Sequence, residues 1–239
     1  MVSMDSGSTD PEFDKFAGDY RTLHQSNITV TGEPPEYFAE YKIKDLKSIV
    51  SRNAGGMAHP RFLDFGTGIG TSVPFFRRHF PAASLTGVDV SVKSLEVAVS
   101  RFRGAATFLA FDGTRLPLCD ATFDYAFAAC VFHHIPASQH VGLFSEIRRV
   151  LKPGGQVMIY EHNPLNILTV RAVRTCPFDE NAVLIRAGTL RARLASAGFS
   201  DLEVKYRVFF PKALSALRPL EDRLGKLPLG AQYYVRARK

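Results

Sequence analysis

Two acids and three glycines carry the first chemistry in this chain. The stretch Phe62-Leu63-Asp64-Phe65-Gly66-Thr67-Gly68-Ile69-Gly70-Thr71 opens apolar, takes in an acid and turns through glycines into helical spacing. Farther on, Gly87-Val88-Asp89-Val90-Ser91 ends a second apolar run on a carboxylate. Together they read as a nucleotide-binding βαβ unit. The glycines let backbone turn sharply and approach a ligand without Cβ atoms in the way. Asp89, at a strand tip, is placed to accept hydrogen bonds from a ribose diol. The run Gly66-x-Gly68-x-Gly70 lacks the two-residue gap that a dinucleotide fingerprint needs between its second and third glycines. Asp64, two residues before the first glycine, would repel a pyrophosphate and suit a cationic ligand end.

Three further stretches follow in order. Phe111-Asp112-Gly113 precedes Leu116-Pro117-Leu118. The run from Phe123-Asp124 through Cys130 ends in His133-His134. Leu151-Lys152-Pro153-Gly154-Gly155 is a helix-to-strand turn, in which the proline stops the helix and the glycines reverse the chain. With the glycine loop and its two acids, they resemble the class I S-adenosylmethionine-dependent methyltransferases. The resemblance covers residues 60–160 well and the flanks loosely. It implies a Rossmann-like α/β fold, with a seven-stranded, mostly parallel sheet, helices on both faces and the last strand antiparallel. It implies S-adenosylmethionine as cofactor, with S-adenosylhomocysteine as product. By that resemblance Asp64 faces the amino group of the methionine moiety, and backbone at Gly66, Thr67 and Gly68 lines its path. Asp89 binds the ribose hydroxyls, Val90 lies against the adenine, and Asp112 and Gly113 sit at its edge. Cys130 lies near the loop beneath the sulfonium. An N-terminal helical segment closes over the cofactor, bringing Tyr20 to it and Tyr41 to the acceptor; packing is the competing role for both tyrosines, and solvent exposure for Lys42.

Methyl transfer is an in-line displacement, so positioning and desolvation supply much of the acceleration. A base is needed when the nucleophile carries a poorly acidic proton. His133 and His134 stand at the mouth of strand four, where a neutral imidazole could take that proton. Glu161 and His162, at the end of strand five, face the same edge. Arg171 and Arg174 are candidate holders of an anionic acceptor through paired planar hydrogen bonds, and Phe178-Asp179 and Phe209-Phe210-Pro211 are candidate pocket walls.

These residues must be positioned by a chain of 239 residues, long enough for one large α/β domain or two small ones. Hydrophobic residues at 46% and charged residues at 22% suit a globular protein. Three cysteines without a CxxC pair point to neither disulfides nor zinc, and no metal is expected. No apolar run is long enough to span a membrane, and the N-terminus lacks the regions of a secretory signal, so a cytoplasmic location is expected. Residues 1–11 read as a disordered leader. Residues 12–239 read as a single methyltransferase domain, with a helical cap over 12–56 and a substrate-covering insertion over 163–188. Strands are expected at 61–65, 84–89, 106–110, 123–128 and 156–161, alternating with helices at 71–80, 92–102 and 139–151. A helix at 189–197, a strand at 202–210, a helix at 213–227 and a strand at 232–238 complete the chain. The formal charge of +7 would permit an anionic partner, yet no basic run is interleaved with aromatics as single-strand binders require. The expected partner is a small or medium-sized acceptor rather than nucleic acid, methylated on oxygen or nitrogen, and a natural-product or lipid-linked intermediate would fit. Rivals are an RNA or protein methyltransferase, a nicotinamide oxidoreductase and a non-catalytic binder of the cofactor.

Overall fold

The computed structural model describes residues 32–53 and 58–239. Tyr20 and the leader expected at 1–11 lie outside them. Seven strands form one sheet: β1 (Arg61–Phe65), β2 (Ser84–Asp89), β3 (Thr107–Ala110), β4 (Phe123–Ala129), β5 (Leu151–His162), β6 (Ser200–Arg207) and β7 (Gln232–Arg238). Their order is β3-β2-β1-β4-β5-β7-β6. β7 lies between β5 and β6, antiparallel to both, with Tyr160 opposite Tyr234. The expected Rossmann-like sheet and its single reversed strand are present.

Period-two alternation explains the two layers around it. On β4, β5 and β7, Ala126, Val157, Ile159, Tyr233 and Val235 pack with α4 (His140–Val150) and α6 (Ala187–Ser196). The alternate residues Phe127, Met158, Tyr160 and Tyr234 pack with α1 (Pro35–Asn53) and α2 (Val73–His79). A third crossover helix, α3 (Val92–Arg101), starts on a side-chain cap in which Ser91 Oγ accepts from Ser94 N–H at 3.1 Å.

One expected segment has structure of its own, and one expected element needs correction. Residues 163–188 hold α5 (Ile167–Arg174) and a 3₁₀ turn at Pro177–Asp179, and the segment is tied to the core. Val183 N–H donates to the His133 carbonyl at 2.7 Å, and the Tyr233 hydroxyl donates to the Ile185 carbonyl at 2.6 Å. Residues 213–227 are not one α-helix. Lys212–Leu220 is a kinked 3₁₀ stretch, non-helical at Leu214 and interrupted by Pro219, and only Glu221–Leu224 (α7) is α-helical. A proline removes the N–H that an α-helical bond would need there.

Candidate active site

A cavity of about 750 Å³ opens over the carboxyl ends of β1, β2, β4 and β5, the edge where open parallel sheets bind ligands. At one end the glycine loop is pinned to β2, because Gly66 and Thr67 N–H both donate to the Val88 carbonyl, at 2.9 and 3.1 Å. Gly66 has φ +72°, and a Cβ there would come within 2.4 Å of Val131 Cγ2. Only glycine fits.

Asp64 is buried beneath this loop, and its Oδ2 accepts from Thr67 Oγ1 at 2.9 Å and Ser72 Oγ at 2.5 Å. Burial pushes its carboxyl up to about 6, against the pull of the two hydroxyls. Asp89 accepts from Gly68 N–H through Oδ2 at 2.7 Å and from Ser91 N–H through Oδ1 at 2.9 Å. A carboxylate offers about four lone-pair sites in all. Val90, Phe111 and Gly113 continue the wall.

Asp112 does not join them. Its Oδ1 accepts from Arg115 N–H at 2.9 Å and from Thr114 N–H and Oγ1 at 2.8 and 2.7 Å. Those bonds, that from Arg115 first, hold the carboxyl down to about 2. The aspartate builds the turn, and its neighbours Phe111 and Gly113 reach the cavity.

A histidine wall closes the other end. The fully buried Glu161 accepts from Phe132 N–H at 2.8 Å and pairs with His133 Nδ1 at 2.5 Å. Asp179 Oδ1 lies 3.6 Å from His133 Nε2 and 3.3 Å from His134 Nε2. Burial opposes charge on His133, but Glu161 and Asp179 outweigh it and push its pKa up to about 10. Burial likewise opposes charge on Glu161, and His133 overcomes it to hold the carboxyl below its usual range. Burial keeps the His134 ring below the ordinary histidine value, against Asp179. His133, His134 and Asp179 each offer one donor atom within 4.8 Å of the others, so they could hold a metal ion.

Between the two ends stands Cys130, at φ +59° on the tip of β4. Lys42 Nζ lies 3.3 Å from its sulfur. Burial would raise this thiol, but His162 and Lys42 bring it down to about 6.

The predicted residues therefore divide. Asp64, Gly66, Thr67, Gly68, Asp89, Val90, Gly113, Cys130, His134, His162 and Arg171 lie on the cavity, as does the 2%-exposed His133. Glu161 sits behind His133 and does not reach it, so it positions rather than touches. Arg174 is exposed off the wall. Tyr41 is also off the wall: its hydroxyl donates to Glu221, and Arg207 lies 5.0 Å from its ring centroid.

Lys42 is buried on the cavity, not solvated. It stands four residues after Phe38 and four before Leu46, on the apolar phase of α1, so helical spacing carried the signal. Asp179 works as a polar partner of two histidines, not as part of an apolar wall. A network absent from the sequence reading holds α1 over the site. Arg207 forks onto Asp45, with Nε–Oδ2 and Nη2–Oδ1 both 2.8 Å, and the Tyr160 hydroxyl donates to the same carboxylate. Arg218 pairs with Glu33 at 2.7 Å and lies over Tyr37.

The cofactor end fits S-adenosylmethionine. A Cβ built on Gly68 would meet no atom within 4 Å, so the loop leaves open space beside its backbone. The donor set is a carboxylate for a cation, a carboxylate for a diol and an apolar wall for a base. The same buried Asp64 disfavours a pyrophosphate.

Residues 62–155 match the methyltransferase domain family. A ubiquinone/menaquinone biosynthesis C-methyltransferase of Desulfotalea psychrophila is 28% identical over 153 residues, covering 64% of this chain and 57% of that one. Its counterpart in Syntrophotalea carbinolica is 36% identical over 164 residues, covering 67% and 64%. The matched stretch thus spans about three fifths of these relatives' length. A crystal structure from Thermotoga maritima, described as an S-adenosylmethionine-dependent methyltransferase and possible histamine N-methyltransferase, superposes with a TM-score of 0.65 at 19% identity, covering 95% of this chain and 98% of its own. Residues 62–155 thus carry a methyltransferase domain, on the fold of the class I S-adenosylmethionine-dependent methyltransferases.

Proposed function

We propose that the protein methylates a small or medium-sized acceptor that has an apolar body and a proton-bearing hydroxyl. The observation that carries this reading is the single cavity running from Asp89 to the histidine wall, lined beyond the glycine loop by Phe38, Ile135, Phe209 and Phe210. When bound, S-adenosylmethionine supplies an electrophilic methyl group on a sulfonium. Asp64 holds the cationic end, Asp89 the ribose diol, and Val90 and Phe111 the base. The apolar wall excludes water from the acceptor.

His162, half-buried on the cavity and beside Cys130, takes the hydroxyl proton. His134, held through Nε2 by Asp179, fixes the wall against which the acceptor rests. Deprotonation activates the oxygen or, on a phenol, the conjugated ring carbon. The latter parallels the curated C-methyltransferases named above, whereas oxygen or nitrogen is the expectation from sequence. Arg171, at the cavity rim, suits an acidic group on the acceptor.

The test is label transfer from S-adenosylmethionine into a panel of alkylated phenols and hydroquinones, aliphatic amines and bulk RNA. Phenols labelled in preference are the expected result; label confined to RNA or amines overturns the reading. His162→Asn is expected to lower kcat about 10²- to 10⁴-fold and to flatten the rise of kcat/KM with pH. An unchanged pH profile would remove His162 from the role.

The buried Asp64 adds a pH signature. Only its carboxylate suits a cation, so affinity for S-adenosylhomocysteine should fall about tenfold per pH unit below about 6. Calorimetry across that range checks it, and Asp64→Asn should bind weakly with no such slope.

A further inference from the structure

Beside the cavity rim lies an apolar edge that the methyl-transfer reading leaves unused. Leu165 is 51% exposed, and Ile167 and Leu168, which open α5, are 84% and 66% exposed. The buried face of that helix is Thr169 and Val173. Polar contacts bring a second apolar segment alongside. Asn166 Nδ2 donates to the Leu229 carbonyl at 2.8 Å, Asn163 Nδ2 to the Pro228 and Gly230 carbonyls at 3.1 and 2.8 Å, and Thr169 Oγ1 to the Ala231 carbonyl at 2.9 Å. Leu229, 65% exposed, and Leu227, 46% exposed, thereby join the edge. Globular surfaces carry such side chains singly, and a contiguous group marks an interaction site.

Within the two segments that form the edge, the charge has one sign. Arg171 and Arg174 follow Ile167 at helical spacings of four and seven, so they share its exposed face. Lys226 precedes the Leu227–Leu229 loop. No Asp or Glu occurs in residues 162–175 or 223–239. Exposed aliphatics bordered by cations without acids are the composition of an element that lies in a lipid interface. The edge also meets the cavity, because Asn166, Leu168, Arg171 and Ala231 line its wall.

We propose that this edge docks on an anionic lipid bilayer, setting the cavity mouth against the membrane. Leu165, Ile167, Leu168 and Leu229 enter the acyl boundary, while Arg171, Arg174 and Lys226 meet acidic headgroups. An acceptor with an apolar body then passes from lipid to the histidine wall without crossing water. This last step rests on the acceptor reading, whereas docking does not.

The experiment is cosedimentation of the full chain with vesicles of phosphatidylcholine alone or with about 30% phosphatidylglycerol, at low and high salt. Binding at least tenfold tighter to the anionic vesicles, weakened by salt, is expected. The double variant Ile167→Glu, Leu229→Glu should lose at least tenfold of it and bind S-adenosylhomocysteine unchanged, which controls for folding. Equal or absent binding to both vesicle types overturns the proposal, and so does full binding by the double variant. A dimer that dissociates in the variant, with no vesicle binding by either protein, overturns it too and assigns the edge to a second copy. Lipid binding is read without acceptor or turnover, so its failure leaves the methyl-transfer reading standing.

Discussion

Replacing Asp89 with alanine is expected to weaken S-adenosylhomocysteine binding about 100-fold or more. The carboxylate accepts backbone N–H groups from Gly68 and Ser91, and a strand-tip carboxylate at this position suits a ribose diol. A hydrogen bond to a charged group contributes about 1.5–3 kcal/mol, so losing two removes roughly 3 kcal/mol or more, which is ~100-fold in affinity. The substitution also frees the Gly68 amide, so the glycine loop keeps its bonds to the Val88 carbonyl but loses one further tie to the tip of β2. Calorimetric titration of wild type and variant measures the loss, with NADH as the contrasting ligand. Binding by the variant within twofold of wild type would show that Asp89 serves the loop alone. Saturable NADH binding would contradict the glycine spacing argument at its base.

Replacing Glu161 with glutamine is expected to lower the melting temperature more than any change on the cavity surface. Glu161 and His133 form a buried ion pair, 0% and 2% exposed as residues. Removing one member of such a pair costs about 3–5 kcal/mol, because the other is left charged in a dry site. For a chain of this size that corresponds to roughly 6–20 °C.

The pH dependence gives the change a second readout. The folded pKa of His133 lies near 10, above its ordinary 6.5, so its contribution to stability is fully present below 6.5 and lost as pH rises toward 10. Glu161 is shifted below its ordinary 4.5, so its contribution is present above 4.5 and lost only as pH falls through the lowered value. Wild-type stability should therefore decline from pH 6.5 to 10, and the variant should show a much shallower decline, with Asp179 retaining a remnant. Thermal melts across that range test it; parallel curves for the two proteins would mean that the pair carries no linked proton.

The cofactor end was legible because it is local. Asp64, the glycines and Asp89 sit within 26 residues, and their types encode the loop through backbone freedom and charge. The strands were legible through alternation, and β7 begins and ends where its apolar pattern does. The acceptor end was legible only by position. That His133 and His134 stand at the tip of β4 follows from spacing, but which of them carries charge depends on Glu161 and Asp179, 28 and 45–46 positions away. Tyr41 drew a substrate role from its place in the cap, yet its partner Glu221 is 180 residues distant. Nothing in the local pattern of α1 announces that pairing. The helix expected over 213–227 failed for a local reason: apolar spacing was read across Pro219, where no α-helical hydrogen bond can form.

The fork of Arg207 onto Asp45 also has a meaning for the order of synthesis. The two residues are 162 positions apart, so at about 5–20 residues per second the arginine leaves the ribosome roughly 8–30 seconds after its aspartate. The Tyr41–Glu221 contact closes later still. A nascent chain can finish β1 to β5 and its glycine loop well before the roof over the acceptor exists. Until β6 and α7 emerge, the Asp45 carboxylate has the Tyr160 hydroxyl of β5 but not its arginine, and the cavity lacks the wall that Phe209 and Phe210 supply. The interval between the two halves of one ion pair is therefore the period in which the cofactor end is complete and the acceptor end is still open.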